Sequence, residues 1–105
     1  MSVVHLNESD FQEKISSAPA AMVDFWATWC GPCRMVGPVV EDLGKKYEGK
    51  ALIGKVDVDQ NQGLAARFGV MSIPTVIFFK NGKEVGRKVG VQPANVYSQN
   101  LDANL

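Results

Sequence analysis

Two cysteines separated by two residues are the part of this sequence most able to do chemistry. Cys30 and Cys33 are the only cysteines of the 105-residue chain, and Gly31 and Pro32 lie between them. A thiolate is a nucleophile and a metal ligand, and two thiols at this spacing can close to a disulfide. The pair therefore predicts a reversible redox centre, half of a metal site, or an inert structural disulfide.

The rest of the sequence favours the first of these three hypotheses. A tetrahedral zinc site needs two further ligands, yet His5 is the only histidine and no third cysteine is present. A chain of this length can bury a sufficient core without a covalent staple. Reversible thiol-disulfide chemistry without a bound metal or other cofactor is thus the main hypothesis, and zinc and a structural disulfide stay open as alternatives.

The composition is that of an ordinary globular protein. Hydrophobic residues make up 46% and charged residues 21% of the chain, and 11 basic side chains balance 11 acidic ones. This charge balance gives no long-range attraction to nucleic acid or to an anionic membrane. No apolar run approaches the ~18 residues of a membrane span, and no signal peptide pattern is present. We therefore expect a cytoplasmic monomer with no nucleic-acid or membrane partner.

Strand and helix patterns place the cysteines between a strand and a helix. Residues 21–26 are apolar apart from Asp24, which is typical of a central strand covered on both faces. Apolar residues then recur every fourth position and predict a helix, which Pro38 should bend. Its apolar stripe would carry Met35, Val39, Leu43 and Tyr47, and Val36 and Val40 would widen it. Cys30 would precede this helix, where unpaired N–H groups and the helix dipole favour a thiolate.

The remaining patterns complete one α/β domain over residues 1–105. Asn81-Gly82 between two strand-like segments predicts a hairpin. Further strands are predicted at 3–6, 51–56, 75–79 and 84–89. Further helices are predicted after Asn7 or Ser9, near 63–68, and after Pro93 with Tyr97, Leu101 and Leu105 on one face. The predicted order is β-α-β-α-β-α-β-β-α.

The residues between the cysteines predict different roles for the two thiols. Gly31 has no Cβ to obstruct the backbone of another protein, and Pro32 suits an early helical position. Cys30 would lie at an exposed tip and attack a substrate disulfide. Cys33, one turn inside, would attack the resulting mixed disulfide and release the product.

Asp24 is a carboxyl group within an otherwise apolar strand. An ionised carboxylate without a partner is unfavourable in such a place, so we expect a raised pKa and a role in proton handling. The alternative is a structural aspartate whose oxygens are satisfied by backbone donors or by a nearby Lys55.

Several motifs in this order of elements resemble the thioredoxin family over essentially the whole chain. They are the strand 23–26, the motif 29–33, Ile73-Pro74 and Asn81-Gly82. The resemblance implies the thioredoxin fold, a five-stranded mixed sheet flanked by four helices, with most of the parallel pairing in its three central strands. It also implies reduction of diverse protein disulfides, with a thioredoxin reductase as electron donor. Gly-Pro between the cysteines favours a reductant over an oxidising enzyme.

The same resemblance assigns roles to residues away from the cysteines. Asp24 would assist deprotonation of Cys33 through water, and Lys55 on the neighbouring strand would pair with Asp24 and tune its charge. An ordinary strand lysine is the alternative for Lys55. Pro74 would follow a cis peptide bond and face the cysteines, leaving the backbone of Ile73 free to pair with an extended substrate. Trp26 would be a core residue that packs beside the site and restrains its loop. Pro38 is a structural residue near the site for a reason of its own, since a proline within a helix bends it.

A mostly apolar surface around Cys30 would bind the substrate. Its members would be Trp29, Gly31, Pro32, Met71, Ser72, Ile73, Pro74, Val89, Gly90 and Val91. An uncharged surface of this kind suits transient docking on many proteins. It also leaves a second hypothesis open, in which the chain is a redox-dependent binding module that docks one partner.

Overall fold

One mixed β-sheet forms the centre of the computed structural model, which describes residues 3–105. The strands are β1 (Val4–His5), β2 (Ala20–Trp26), β3 (Leu52–Asp57), β4 (Thr75–Lys80) and β5 (Lys83–Val89). The helices are α1 (Phe11–Ser16), α2 (Cys33–Lys46), α3 (Gln62–Arg67) and α4 (Ala94–Asn104). The predicted order of elements is confirmed, and residues 1 and 2 of the predicted domain lie outside the described residues.

The sheet has the strand order β1-β3-β2-β4-β5. β3 is parallel to both β1 and β2, whereas β4 is antiparallel to β2 and to β5. Most of the parallel pairing lies between β2 and β3, two of the three central strands, as expected, while β4, the third, is antiparallel to β2. The chain re-enters the sheet at the carboxyl end of β2, where Thr75 pairs with Phe25.

Helices cover both faces of the sheet, which explains why β2 is apolar on both sides. Buried residues of α2 and α4 pack on the face that contains Met22, and buried residues of α1 and α3 pack on the face that contains Val23. Within the described helices, none is long and apolar enough to cross a membrane.

Two predicted core positions are wrong. Met35 is 66% exposed, because the buried stripe of α2 begins at Cys33 and continues through Val36, Val40 and Leu43. This spacing of three and four residues follows the helical repeat more closely than a strict spacing of four. Leu105 lies after the last residue of α4 and is 54% exposed, whereas Tyr97 and Leu101 are buried as predicted.

The hairpin between β4 and β5 is confirmed at Asn81-Gly82. Both residues have positive φ angles, 51° for Asn81 and 81° for Gly82, as a two-residue type I′ turn requires. This turn and a register shift between Phe78 and Phe79 together set which residues of β5 lie beside β4, and so the position of the segment 89–91 near the cysteines.

Replacing Gly82 by Ala is expected to lower the free energy of unfolding by about 1–2 kcal/mol, because a Cβ disfavours the left-handed conformation. The added Cβ would also lie 3.3 Å from the Cα of Ser16. Urea unfolding of the oxidised protein measures the change. Gly86→Ala is the matched control, since a Cβ there meets no atom within 4 Å and should change stability by less than about 0.5 kcal/mol. An equal loss of stability in Gly82→Ala and Gly86→Ala would show that the left-handed conformation of Gly82 is not the cause.

Candidate redox-active site

The cysteine pair lies at the junction between β2 and α2. Cys30 and Cys33 form a disulfide, with their Cα atoms 5.3 Å apart. The backbone N–H of Cys33, the first residue of α2, donates to the sulfur of Cys30 at 3.2 Å. A backbone donor and the positive end of the helix dipole thus both act on Cys30 and would stabilise a thiolate there.

The predicted exposed tip at Cys30 is wrong for the disulfide form. Cys30 is only 4% exposed and Cys33 only 5%, because Ala27, Val58 and Ile73 pack against the pair. The two sulfurs differ in their neighbours instead. The Cys30 sulfur lies 3.7 Å from the carbonyl oxygen of Ile73, whereas Cys33 lines a separate cavity of about 370 Å³.

Asp24 is fully buried in the middle of β2, between Lys55 of β3 and Val76 of β4 in the strand register. Within residues 3–105, neither carboxylate oxygen has a hydrogen-bond partner. The alternative in which backbone donors satisfy this carboxylate is therefore wrong. Burial raises the pKa of Asp24 to about 7, and the positive charge of Lys55 opposes this rise. The predicted rise in the pKa of Asp24 is thus confirmed.

Lys55 contacts an aromatic ring and makes no direct ion pair with Asp24. Its Nζ lies 4.7 Å from the ring centroid of Trp26. In the part of the chain that the structure describes, the ion pairs are Lys14–Asp10 and Arg87–Glu84. The predicted pairing of Lys55 with Asp24 is thus a charge interaction over a longer distance.

One cavity brings together several of the predicted residues. Cys33, Lys55, Trp26 and Pro38 all line the cavity of about 370 Å³. Its other lining residues are Ala27, Thr28, Arg34 and Gly37. Asp24 does not line this cavity but lies two residues before Trp26 on the same strand. The cavity is large enough for several water molecules, so solvent can reach Cys33.

The loop before β4 lies against the cysteines. The Ile73–Pro74 peptide bond is cis, as the family resemblance implied. The carbonyl oxygen of the buried Pro74 accepts the N–H of Gly90 at 2.8 Å, and Thr75 pairs with Val89. These contacts bring the segments 71–74 and 89–91 together.

Most of the predicted substrate surface is exposed. Trp29 is 68% exposed and Met71 96% exposed, and Val89 and Val91 are exposed at 55% and 41%. Gly31, Pro32 and Ser72 are also exposed, and Ile73 and Gly90 are half-buried. Pro74 is buried, so it supports this surface from below.

The structure also places residues near the cysteines that no sequence motif had indicated. The indole N–H of Trp29 donates to Asp59 at 2.7 Å. A groove of about 220 Å³ lies between Trp29, Met71 and Ile73 and also includes Val58, Gln62, Ala65 and Val70. One rule could have predicted that the loop after β3 lies beside the cysteines. Because β2 and β3 are parallel, the loops that follow them lie at the same edge of the sheet.

The described residues place no cluster of metal ligands around the cysteine pair. Across residues 3–105, no group of three or more His, Cys, Asp or Glu side chains is arranged to hold a metal ion.

A helix-covered mixed sheet with a Cys-Gly-Pro-Cys disulfide at the end of its central strand defines a thiol-disulfide oxidoreductase. The Thioredoxin family model matches residues 2–103. Over 105 residues, covering both chains completely, the sequence is 50% identical to the thioredoxins of Staphylococcus aureus strains Mu50 and MW2. The chain therefore belongs to the thioredoxin family and is a protein-disulfide reductase.

A solved structure of the same family confirms the fold. A mutant thioredoxin from Halobacterium salinarum NRC-1 is similar, with a TM-score of 0.90 and 33% sequence identity. The match covers 97% of this chain and 89% of that one.

Proposed function

We propose that the chain reduces disulfides of many proteins, with Cys30 as the nucleophile and Cys33 as the resolving thiol. The Cys30 thiolate attacks one sulfur of the substrate disulfide, and the other substrate sulfur leaves as a thiolate. The Cys33 thiolate then attacks the Cys30 sulfur and expels the second substrate thiolate. Two electrons pass to the substrate, two protons convert its thiolates to thiols, and the Cys30–Cys33 disulfide remains.

The observation that carries this division of roles is the N–H of Cys33 at 3.2 Å from the Cys30 sulfur. This donor favours the anionic form of Cys30 over the thiol, and a thiolate is the attacking species. Cys30 also contacts Ile73, which adjoins the proposed docking surface, whereas Cys33 lines the cavity that contains Lys55.

Asp24 and Lys55 would handle the proton of Cys33. Cys33 must lose a proton before it attacks the mixed disulfide. With a pKa of about 7, Asp24 can accept a proton near neutral pH. Because Asp24 does not line the cavity beside Cys33, a water molecule that contacts both groups would have to carry the proton between them. Lys55 lowers the pKa of Asp24 and so increases its ionised fraction.

The exposed residues around the cysteines would form the docking surface. Its members are Trp29, Gly31, Pro32, Met71, Ser72, Ile73, Val89, Gly90 and Val91, with the buried Pro74 as support. An extended substrate segment would add to the backbone of Ile73, next to the Cys30 sulfur. Backbone pairing reads shape more than sequence, which suits a broad range of substrates.

The cycle needs a reductant that returns two electrons to the Cys30–Cys33 disulfide. A thioredoxin reductase would serve as this donor, and the redox chemistry resides in the two sulfurs without a bound cofactor. The proposed location is the cytoplasm, where a reducing environment suits a cysteine pair that cycles.

Reduction of insulin by dithiothreitol tests the proposal. The purified chain should increase the rate above that of dithiothreitol alone, and Cys30→Ser should remove the increase because the attacking thiolate is lost. A wild-type chain that gives no increase, or a Cys30→Ser variant as active as the wild type, would contradict the proposal.

A further inference from the structure

The ammonium group of Lys55 has a defined position over the indole of Trp26. Trp26 follows Asp24 by two residues on β2, so both side chains lie on the same face of the sheet. Lys55 is opposite Asp24 in the register of β3. Its Nζ lies 4.7 Å from the Trp26 ring centroid, a distance at which the ring attracts a cation.

We propose that Trp26 is a positioning residue, whose indole face holds the Lys55 ammonium within electrostatic range of the Asp24 carboxyl group. This inference deepens the proposed function and rests on the role given there to Asp24. Lysine carries a strongly hydrated charge on a flexible stem, so hydration competes with its attraction to a buried carboxylate. Within residues 3–105, Lys55 forms no ion pair that would keep it near this carboxylate.

Two neighbouring cavities offer the ammonium group of Lys55 alternative, hydrated positions. Lys55 and Trp26 both line the cavity beside Cys33, and both line a second cavity of about 440 Å³ next to β1. Water in either cavity would hydrate the ammonium. The indole face is therefore the contact that keeps Lys55 close to the sheet.

The other ionisable groups around Asp24 and Lys55 do not replace this contact. His5 of β1 pairs with Lys55 in the register, Asp57 of β3 lines the second cavity, and Arg34 of α2 lines the first. Cys33 of α2 also lines the first cavity, and Val76, the β4 neighbour of Asp24, is uncharged. On α4, burial raises the pKa of Tyr97, and the charge of Asp24 raises it further. Lys55 is the positive charge that lowers the pKa of Asp24.

The positioning role and a packing role predict opposite changes in the pKa of Asp24. If Trp26 only packs, its removal admits water to the carboxylate, which weakens desolvation and lowers the pKa. If Trp26 holds Lys55, its removal releases the ammonium and the pKa rises. The direction of the change therefore separates the two roles.

A titration of the Asp24 carboxyl carbon by ¹³C NMR in the oxidised protein tests the proposal. Trp26→Leu should raise the pKa by about one pH unit, the low end of the effect of an opposite charge. Lys55→Met should produce a similar rise. Trp26→Phe keeps an aromatic face and should stay close to the wild type. In the Lys55→Met background, Trp26→Leu should cause no further rise.

A pKa of Asp24 that falls or stays unchanged in Trp26→Leu would overturn the proposal. An equally large rise of this pKa when Trp26→Leu is added to Lys55→Met would overturn it too. The titration does not depend on turnover. An Asp24→Asn variant with an unchanged pH profile of insulin reduction would therefore refute the catalytic role of Asp24, while the titration would still decide whether Trp26 positions Lys55.

Discussion

Replacing Cys33 by Ser is expected to reduce insulin turnover to the level of dithiothreitol alone and to trap the chain on its substrate. Cys30 can still attack a substrate disulfide, because the backbone N–H that contacts its sulfur is unchanged by the substitution. A serine hydroxyl cannot attack the mixed disulfide at neutral pH, so the covalent complex persists. Mass spectrometry of the reduced variant after exposure to a protein disulfide should show one adduct per chain, released by dithiothreitol.

Cys30→Ser is the matched control, since it also leaves one thiol in the chain. It should form far less adduct, because the backbone N–H of Cys33 stabilises a thiolate at Cys30 and not at Cys33 itself. Equal adducts from the two variants would reverse the proposed roles. If Cys33→Ser kept the biological role of the chain, the redox-dependent binding module would be the better hypothesis.

Replacing Asp24 by Asn is expected to stabilise the oxidised chain above neutral pH. The pKa of Asp24 is about 7 in the folded chain and about 4 in the unfolded chain. Between these values the folded state binds the additional proton, so the stability of the wild type falls as the pH rises from about 4 to 7. The loss is complete above pH 7 and amounts to about 4 kcal/mol. The asparagine variant does not ionise and keeps this stability.

Urea unfolding of both proteins between pH 4 and 9 measures this difference. The difference in the free energy of unfolding between Asp24→Asn and the wild type should increase from pH 4 to 7 and remain constant at higher pH. Asp42→Asn is a suitable control, because it makes the same chemical change at a carboxylate that is exposed on α2. Parallel stability curves for the wild type and Asp24→Asn would contradict the raised pKa.

Much of the site is local in the chain and could therefore be predicted from the sequence. Cys30 and Cys33 lie one helical turn apart, so their spacing alone brings the sulfurs within bonding reach. The apolar residues around Asp24 indicate its burial, and burial is the main cause of its raised pKa. Asn81-Gly82 indicates a turn because few other residues adopt two consecutive positive φ angles.

Other parts of the site depend on contacts between residues far apart in the chain. The hydrogen bond from Trp29 to Asp59 joins two loops that only the folded sheet brings together. The position of Lys55 over Trp26, instead of at Asp24, depends on side-chain packing between β2 and β3. The burial of Cys30 arises from Ile73 and Val58, which come from two further loops.

The sequence by itself determined the order of strands and helices, the reactive pair and its buried carboxyl group, since each is set by neighbours within one or two turns. Only the tertiary structure decided the direction of β4, the burial of Cys30 and the contact that holds Lys55. Periodicity reports which face of an element is apolar, but it does not report which distant residue covers that face. The cysteine pair is thus set by residues close together in the chain, whereas the groups that surround it are brought there by the fold.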